Sequence, residues 1–153
     1  MLFRIVYYST NLVRKSINPR DSELRKIVTA ACYKNRAAGI TGGLMFNRSY
    51  FGQVLEGERS CVSELFTCIA GDVRHKSIVL VEAVEVRERL FERWSMGFAE
   101  RTETSEALNA KYGMPRGFDP SGMSAESFLA YVLEMVTEDE RLITVSVPTF
   151  DNA

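Results

Sequence analysis

The stretch of sequence that decides the fold is ITGGLMFNRSYFGQVLEG, residues 40–57. Two runs rich in β-forming residues, Ile40 to Phe46 and Tyr50 to Glu56, are separated by the short polar turn Asn47-Arg48-Ser49. Two such runs joined by so short a turn are typical of an antiparallel hairpin. We therefore expect these residues to form the second and third strands of a sheet.

Gln53 is a polar residue inside the second of these runs, where an ordinary buried strand carries Val or Leu. A buried amide left without a hydrogen-bond partner costs roughly 1–3 kcal/mol. The pattern therefore predicts that Gln53 contacts a polar ligand or another buried polar side chain. Tyr7 in the first strand and the segment Trp94-Ser95-Met96 in the last strand are the candidates for completing this site.

The elements on either side of the hairpin follow a β-α-β-β-α-β-β order. Residues 2–9 read as the first strand, and a helix is predicted from the cap Asn18-Pro19 to a stop at Gly39. After Gly57, apolar residues at helical spacing mark a second helix that ends near Gly71, and strands follow at residues 77–86 and 93–99. Two crossovers joined by a hairpin predict an α+β, ferredoxin-like sheet with both helices on one face.

The C-terminal third of the sequence, residues 101–153, has a different pattern. A short helix is predicted from Thr104 to Tyr112, a loop follows, and Ser124 caps an amphipathic helix. The apolar stripe of that helix consists of Phe128, Leu129, Val132, Leu133 and Val136. We expect residues 1–100 to form one domain and residues 101–153 a helical extension, whose stripe packs on the free face of the sheet or on another subunit.

The composition excludes several classes of protein. The 153 residues are 46% apolar and 25% charged, with a net charge of −1, which argues against a dominant nucleic-acid surface. No apolar stretch is long enough for a membrane span, and the N-terminus shows no signal peptide. Cys32, Cys61 and Cys68 are odd in number and are interpreted as small buried side chains. These features predict a protein of the reducing cytoplasm.

The sequence offers little for hydrolytic or metal chemistry. His75 is the only histidine, so a site built from several histidines is excluded, and no serine lies in a nucleophile-elbow context. A small hydrolase of the acylphosphatase type would need a phosphate-cradling loop after the first strand, and Ser9 to Arg14 lacks the glycines for it. A dimeric ligand-binding or regulatory module remains the other alternative at this point.

Five pieces of sequence, in order and spacing, together resemble a BLUF domain, the flavin-binding blue-light sensor module. They are Tyr7 in the first strand, Asn35 five residues before Ile40-Thr41-Gly42, the run from Gln53 to Gly57, Asp72 to His75, and Arg89 to Met96. The resemblance covers residues 2 to about 100. Residues 101–153 are similar to the helical extension of short, single-domain BLUF proteins.

The resemblance implies that an FAD isoalloxazine ring lies between the two helices. The apolar walls would be Ile27, Ala31 and Ile69, and Asn35 would hydrogen-bond the flavin carbonyl edge. Arg74 and His75 match a basic pair near the flavin, and Asp72 is a weaker match.

Tyr7 and Gln53 match the pair that performs the photochemistry in this family. The resemblance implies that Tyr7 gives an electron and, through Gln53, a proton, and that their return leaves the amide rotated or tautomerised. Adjacent residues of a strand point to opposite faces, so either Tyr7 or Tyr8 reaches the ring, and the motif register selects Tyr7. Trp94 and Met96 match a pair that relays the signal, and which of the two faces the flavin stays open.

The family further implies a receptor and not an enzyme, because the cycle forms no net product. Short relatives often assemble into oligomers and bind a separate protein regulator. The receiving surface is expected on the C-terminal helix or on a subunit contact built on it. FAD is the only cofactor expected, with no metal, nucleic acid or membrane involved.

Overall fold

A computed structural model describes residues 1–12, 34–35, 37–98, 103–138 and 143–144 of the chain. In these residues, six strands form a single mixed sheet. They are β1 (Leu2–Asn11), β2 (Thr41–Phe46), β3 (Tyr50–Glu58), β4 (His75–Val86), β5 (Trp94–Phe98) and β6 (Ile143–Thr144), in the spatial order β4-β1-β3-β2-β5-β6. Strands β2 and β5 are parallel, and all other neighbours are antiparallel. The predicted α+β, ferredoxin-like fold is confirmed.

The predicted hairpin is formed by β2 and β3, and its turn is held by one side chain. The Asn47 Oδ1 atom accepts the backbone N–H groups of Ser49 and Tyr50 at 2.9 and 2.7 Å. This local bonding is what asparagine contributes to a tight turn. Asn47 Nδ2 also donates to the Phe118 carbonyl at 2.8 Å, which ties the turn to the C-terminal part of the chain.

Helix α1 (Arg59–Ala70) is the predicted second helix, and it follows directly on β3, which continues two residues beyond its predicted end at Glu56. Most of the predicted first helix lies outside the described residues, including Leu24, Ile27, Val28 and Ala31. Its end is described: Lys34, Asn35 and Ala37 are helical. Gly39 follows with φ of 71°, a left-handed conformation that commonly ends a helix.

The two faces of the sheet carry separate hydrophobic cores. The front face, defined here as the side that carries Tyr7 and Leu55, packs against α1 through Val62. The back face, the side that carries Val6 and Val54, packs against the C-terminal extension. Because neighbouring residues of a strand point to opposite faces, β1 and β3 contribute alternate residues to each core.

The extension contains α2 (Glu103–Lys111), a 3-10 turn (Pro120–Gly122) and α3 (Ala125–Glu138). Ser124 caps α3 as predicted, since its Oγ accepts the Ser127 N–H at 3.1 Å. The stripe packs on the free face of the sheet, which was one of the two expected alternatives. Phe128, Val132 and Val136 are buried there, whereas Leu129 and Leu133 are only half-buried.

Tyr131 and Met135 of α3 are fully buried and were missed in the stripe. The Tyr131 hydroxyl donates to Asn109 Oδ1 at 2.7 Å, and its ring stacks on Phe118 with centroids 5.1 Å apart. The apolar side of α3 is therefore wider than the sequence pattern suggested, because it faces both the sheet and the loop before it.

Three further outcomes concern strand ends, cysteines and the tail. Strand β4 begins at His75, two residues before the prediction. The interpretation of Cys68 as buried is wrong: Cys68 is exposed and Cys61 is half-buried, both as free thiols. At 100° per residue both thiols lie to the side of the stripe that faces the sheet. The strand or tail predicted at 145–150 and Cys32 lie outside the described residues.

Candidate functional site

The register of the sheet brings the predicted photoactive pair and one predicted relay residue, Met96, into one row. Tyr7 of β1 lies opposite Gln53 of β3, Gln53 lies opposite Leu44 of β2, and Leu44 lies opposite Met96 of β5. With strands about 4.8 Å apart, two strand spacings separate the backbones of Gln53 and Met96. Leu44 is therefore the residue that lies between Gln53 and Met96 of β5.

Gln53 and Tyr7 are hydrogen-bonded to each other in the interior. The Tyr7 hydroxyl donates to Gln53 Oε1. Tyr7 is 2% exposed and Gln53 is 5% exposed. Among the described residues, Gln53 Nε2 has no hydrogen-bond partner. A buried amide donor without a partner is costly, so this atom indicates a ligand position on the front face.

The surroundings of Tyr7 keep its hydroxyl protonated. Burial raises the pKa of Tyr7 well above its usual value of about 10, and the negative charge of Asp72 raises it further. The ring is enclosed by Phe66 of α1, edge-on with centroids 5.5 Å apart, and by His75 at 6.4 Å. Tyr7 is therefore a neutral hydrogen-bond donor at any physiological pH.

Tyr8 belongs to the other face of the sheet. It is only partly buried and packs against the back core, where its ring meets Tyr50 edge-on at 6.4 Å. It lies opposite Gly52 of β3 and not opposite Gln53. Of the two adjacent tyrosines, Tyr7 is the one that the fold brings to the amide.

Trp94 and Met96 occupy successive rows of β5. Trp94 lies opposite Gly42, which in turn lies opposite Leu55, and the tryptophan side chain is buried. Met96 lies in the row of Gln53. The register thus separates the two predicted relay residues. Met96 lies in the same row as Gln53, and Trp94 lies in the same row as Leu55.

His75 and Ile69 lie at one end of the front face. His75 Nε2 is 2.6 Å from the Ile69 carbonyl oxygen, and His75 Nδ1 is 2.7 Å from Ser9 Oγ. A carbonyl only accepts, so Nε2 carries the proton and, in the neutral ring, the Ser9 hydroxyl donates to Nδ1. Both ring nitrogens are therefore used within the protein. Ile69 is half-buried and packs on the front core.

Asp72 and Arg74 form an ion pair beside this histidine. Arg74 Nε donates to both Asp72 carboxylate oxygens at 2.9 and 3.0 Å, and Nη2 makes a further contact. The hydrogen bonds from Arg74 lower the pKa of Asp72 to about 2. Arg74 is exposed and Asp72 is half-buried, so both charges reach solvent at the rim of the site.

Asn35 is buried at the end of the predicted first helix, and its carbonyl accepts the Ile40 N–H at 2.8 Å. Asn35 makes a further interaction within the protein. The predicted wall residues Ile27 and Ala31 lie outside the described residues.

Two residues of this region were missed in the sequence. Ser9 is fully buried and bonded to His75, and Glu56 is a fully buried carboxylate three residues after Gln53. The signal for Glu56 was present, since a charged residue inside the run Val54 to Gly57 is as unexpected as Gln53. Its partner, Arg4, lies directly opposite it in β1.

Two other kinds of site are absent from the described part of the chain. No group of three or more His, Cys, Asp or Glu side chains there is arranged to hold a metal ion. None of the helices described is both long and apolar enough to cross a membrane.

Comparison with known proteins agrees with the geometry. Residues 2–97 match the family model BLUF, described as sensors of blue-light using FAD. The chain is 30% identical over 95 residues to photoactivated adenylate cyclase subunit beta of Euglena gracilis, which covers 62% of this chain and 11% of the cyclase. It is 37% identical over 73 residues to the blue light- and temperature-regulated antirepressor BluF of Escherichia coli (strain K12), covering 46% of this chain and 18% of that protein. The chain therefore spans a small part of the curated relatives it matches.

Solved structures of similar length show the same architecture. The ground state of BlsA superposes with a TM-score of 0.73 at 27% identity, covering 99% of this chain and 95% of BlsA, and its photo-activated state also gives 0.73. The dark state of BlrB, a BLUF protein, gives a TM-score of 0.69 at 30% identity over 88% of this chain and 94% of BlrB. The chain belongs to the BLUF family of blue-light sensors that use FAD.

Proposed function

We propose that this blue-light sensor switches through the Tyr7–Gln53 pair on the front face and delivers the change to the extension on the back face. The observation that carries the proposal is the buried amide of Gln53, whose oxygen accepts the Tyr7 hydroxyl while its nitrogen has no partner among the described residues. An amide so placed has one end fixed by the protein and one end directed to a ligand.

The residues of the front face fit FAD. The unpaired Nε2 of Gln53 is a donor for a ring carbonyl or nitrogen, and the rim carries the charges of Asp72 and Arg74. We assign the cofactor to a site lined by the residues that the sequence singled out, namely Ile27, Ala31, Asn35, Gln53, Ile69, Asp72, Arg74 and His75. His75 would contribute its ring, since both of its nitrogens are bonded elsewhere. Bound FAD supplies a chromophore that absorbs blue light and becomes a strong oxidant when excited.

The side chains of the pair are suited to a reversible rearrangement. Tyr7 holds its proton at the hydroxyl oxygen and hydrogen-bonds it to Gln53 Oε1, the route by which the proton leaves and returns. Rotation of the amide by half a turn would present Nε2 to Tyr7, whose oxygen would then accept, and would turn Oε1 toward the ligand. The cycle forms no net product, so we propose a receptor and not an enzyme.

Two routes lead outward from Gln53. The first follows the row through Leu44 to Met96, with Trp94 in the next row. The second crosses the sheet at Gly52, where an added Cβ would lie 2.6 Å from Phe128 Cζ and 3.1 Å from Phe118 Cζ. The strand that carries the amide is therefore in close contact with helix α3. We propose that residues 1–100 sense light and that residues 101–153 receive the signal.

The energy available for signalling is small. One or two rearranged hydrogen bonds are worth about 0.5–1.5 kcal/mol each, and allosteric couplings typically amount to about 1–3 kcal/mol. Such energies shift an association equilibrium by one or two orders of magnitude. We therefore propose that the output is a changed contact between subunits or with a protein regulator, as the name of the antirepressor relative suggests. The free thiols Cys61 and Cys68 fit the reducing cytoplasm that we propose as its location.

A light-minus-dark absorption spectrum of the purified, FAD-loaded protein tests the switch. We expect a yellow protein whose flavin band shifts slightly to the red on illumination and returns in the dark. Size measurements in both conditions, alone and with cell extract, test the output. A flavin band that does not respond to blue light would contradict the proposal.

A further inference from the structure

The chain crosses the whole sheet in one short segment before it enters β5. This strap, residues Arg87–Arg93, connects β4 to β5, which lie on opposite sides of β1, β3 and β2. The four strand spacings between them amount to roughly 19 Å at about 4.8 Å each. Eight residue steps from Val86 to Trp94 reach at most about 29 Å when fully extended. The direct path thus uses about two-thirds of the reach of the strap, so contacts at its middle limit where β5 can start.

Glu56 holds the middle of the strap. Its Oε1 atom accepts the backbone N–H groups of Leu90 and Phe91 at 2.9 and 2.8 Å. Its Oε2 atom accepts Arg4 Nε at 3.0 Å and lies 2.9 Å from Arg4 Nη2. The carboxylate is 0% exposed and Arg4 is 8% exposed. Both oxygens are thus satisfied, one by the strap and the other by a guanidinium fixed on β1.

Arg89 and Arg93 provide further attachments of the same segment. Arg89 Nη1 donates to Thr41 Oγ1 at 2.8 Å and to the Glu56 carbonyl at 3.0 Å, and Nη2 donates to the Gly39 carbonyl at 2.9 Å. The Arg93 carbonyl accepts the Gly42 N–H at 3.1 Å, directly before Trp94 pairs with Gly42. The strap is held by polar groups of β2 and β3 and by the Gly39 carbonyl just before β2.

The burial of Glu56 is explained by this arrangement. A buried carboxylate is costly unless its oxygens receive several donors, and charged acceptors form the stronger hydrogen bonds of proteins. Two backbone amides of an irregular segment and one guanidinium meet that need. Phe91, whose amide is held by Glu56, is itself buried in the back core. The carboxylate thus holds the backbone at Leu90 and Phe91, just before β5 begins at Trp94.

We propose that Glu56 is a positioning residue, which acts through the amides of Leu90 and Phe91 to fix Trp94 and Met96 relative to the Gln53 row. Glu56 itself faces the back of the sheet, as Arg4 does, and does not contact the photoactive pair. This role rests on the proposed function of Trp94 and Met96 as relay residues, but the fixing of β5 is testable in the dark.

The test compares Glu56→Gln with Glu58→Gln in the FAD-loaded protein. Glu58 lies two residues further along the same strand, and its exposed carboxylate pairs with the N-terminal amino group of Met1 at 2.9 Å. Trp94 is the only tryptophan of the chain, so its fluorescence reports on the start of β5 alone. Two dark measurements are made: amide hydrogen exchange at Leu90 and Phe91, and quenching of Trp94 emission by acrylamide.

We expect exchange at these two amides to rise about tenfold or more in Glu56→Gln, since a hydrogen bond to a charged group is replaced by one to a neutral amide. Trp94 quenching should rise with it, and Glu58→Gln should match the wild type in both. On illumination, the flavin red shift should persist in Glu56→Gln while its lit-state lifetime changes. A general loss of stability would not alter that lifetime.

If Glu56→Gln does not fold, Glu56→Asp replaces it, because this change keeps the buried charge but shortens the side chain that reaches the amides of Leu90 and Phe91. Equal exchange and equal quenching in the Glu56 variant and the Glu58→Gln control would overturn the positioning role. A wild-type protein without a red shift would instead overturn the proposed switch, and the two dark measurements would still decide the role of Glu56.

Discussion

The two faces of the sheet are built from alternate residues of the same strands, yet they differ in how completely the protein fills them. On the front face, Tyr7 and Gln53 form a buried polar pair with an amide nitrogen that has no partner among the described residues. On the back face, Tyr8 and Gly52 meet the aromatic core of the extension, where even a Cβ at Gly52 would collide with Phe128. Two adjacent residues of β3, Gln53 and Gly52, therefore belong to the candidate ligand site on the front face and to a tightly packed contact on the back face.

The contrast shows how a small change can cross the sheet. Protein interiors are packed as densely as organic crystals, so a displacement on one side of a strand is transmitted to the atoms on the other side. In the proposed switch, a rearrangement at Gln53 would move the backbone of a strand whose opposite surface lies against Phe118 and Phe128. The front face would then supply the freedom to rearrange, and the back face a rigid contact that responds to it.

The largest expected effect is the loss of the light response in Tyr7→Phe, with Tyr8→Phe as the control from the other face. Removing the Tyr7 hydroxyl takes away the proton and the partner of Gln53 Oε1. We expect Tyr7→Phe to retain FAD and lose the red shift entirely, whereas Tyr8→Phe keeps it. The light-minus-dark spectrum decides the result, and a normal shift in Tyr7→Phe would contradict the assignment.

Gly52→Ala tests the closed contact on the back face. The new Cβ must push apart the rings of Phe128 and Phe118, and overpacking of this kind costs about 1–3 kcal/mol. Gly122→Ala is the matched control, since no heavy atom outside the adjoining residues lies within 4 Å of its added Cβ. Urea unfolding should show the loss of stability in Gly52→Ala alone, and equal stability of the two variants would mean that α3 does not lie against β3.

The protonation of Tyr7 predicts a pH dependence of stability. Its pKa is raised by burial, so above pH of about 10 the unfolded state loses this proton while the folded state retains it. The stabilisation is therefore fully present below pH 10 and falls by about 1.4 kcal/mol per pH unit above it. Urea unfolding of the wild type and of Tyr7→Phe at pH 8 and pH 11 measures this term as a difference. A difference that is the same at both pH values would show that Tyr7 is not buried.

The smallest effect is expected at the rim of the front face, for Asp72→Asn. The pKa of Asp72 is lowered to about 2 by Arg74, so the pair stabilises the protein above pH of about 4 and ceases to do so as the pH falls to about 2. Because both side chains are substantially exposed, we expect the loss at pH 7 to stay below about 1 kcal/mol. Unfolding at pH 7 and pH 2 checks it, and a larger loss at pH 2 than at pH 7 would contradict the ion pair.

Much of the front face could be predicted because its signals are local. Gln53 stood out as an amide in an apolar strand, and the hairpin and the caps at Ser124 and Gly71 follow from short-range bonding rules. The role of Gly52 could not be predicted in this way: the structure shows it making room for Phe128. That role depends on a residue 76 positions away, which no local pattern contains.

Glu56 shows the same limit from another direction. Its carboxylate accepts hydrogen bonds from Arg4 of β1 and from two backbone amides of the strap. Only the folded sheet brings β1, β3 and the strap together. The wide apolar side of α3 was underestimated for a related reason, because Tyr131 is buried against Phe118 of an irregular loop. Contacts between a regular element and a loop leave little periodic trace in the sequence.

The most direct test of the central claim observes the amide itself. Gln53 is the only glutamine in the chain, so selective incorporation of side-chain 15N-labelled glutamine by cell-free synthesis gives a single NH2 signal pair in the NMR spectrum. We predict that this pair changes position on blue illumination of the FAD-loaded protein and returns in the dark at the rate at which the flavin absorption recovers. An NH2 pair that stays unchanged while the flavin band shifts would contradict the account.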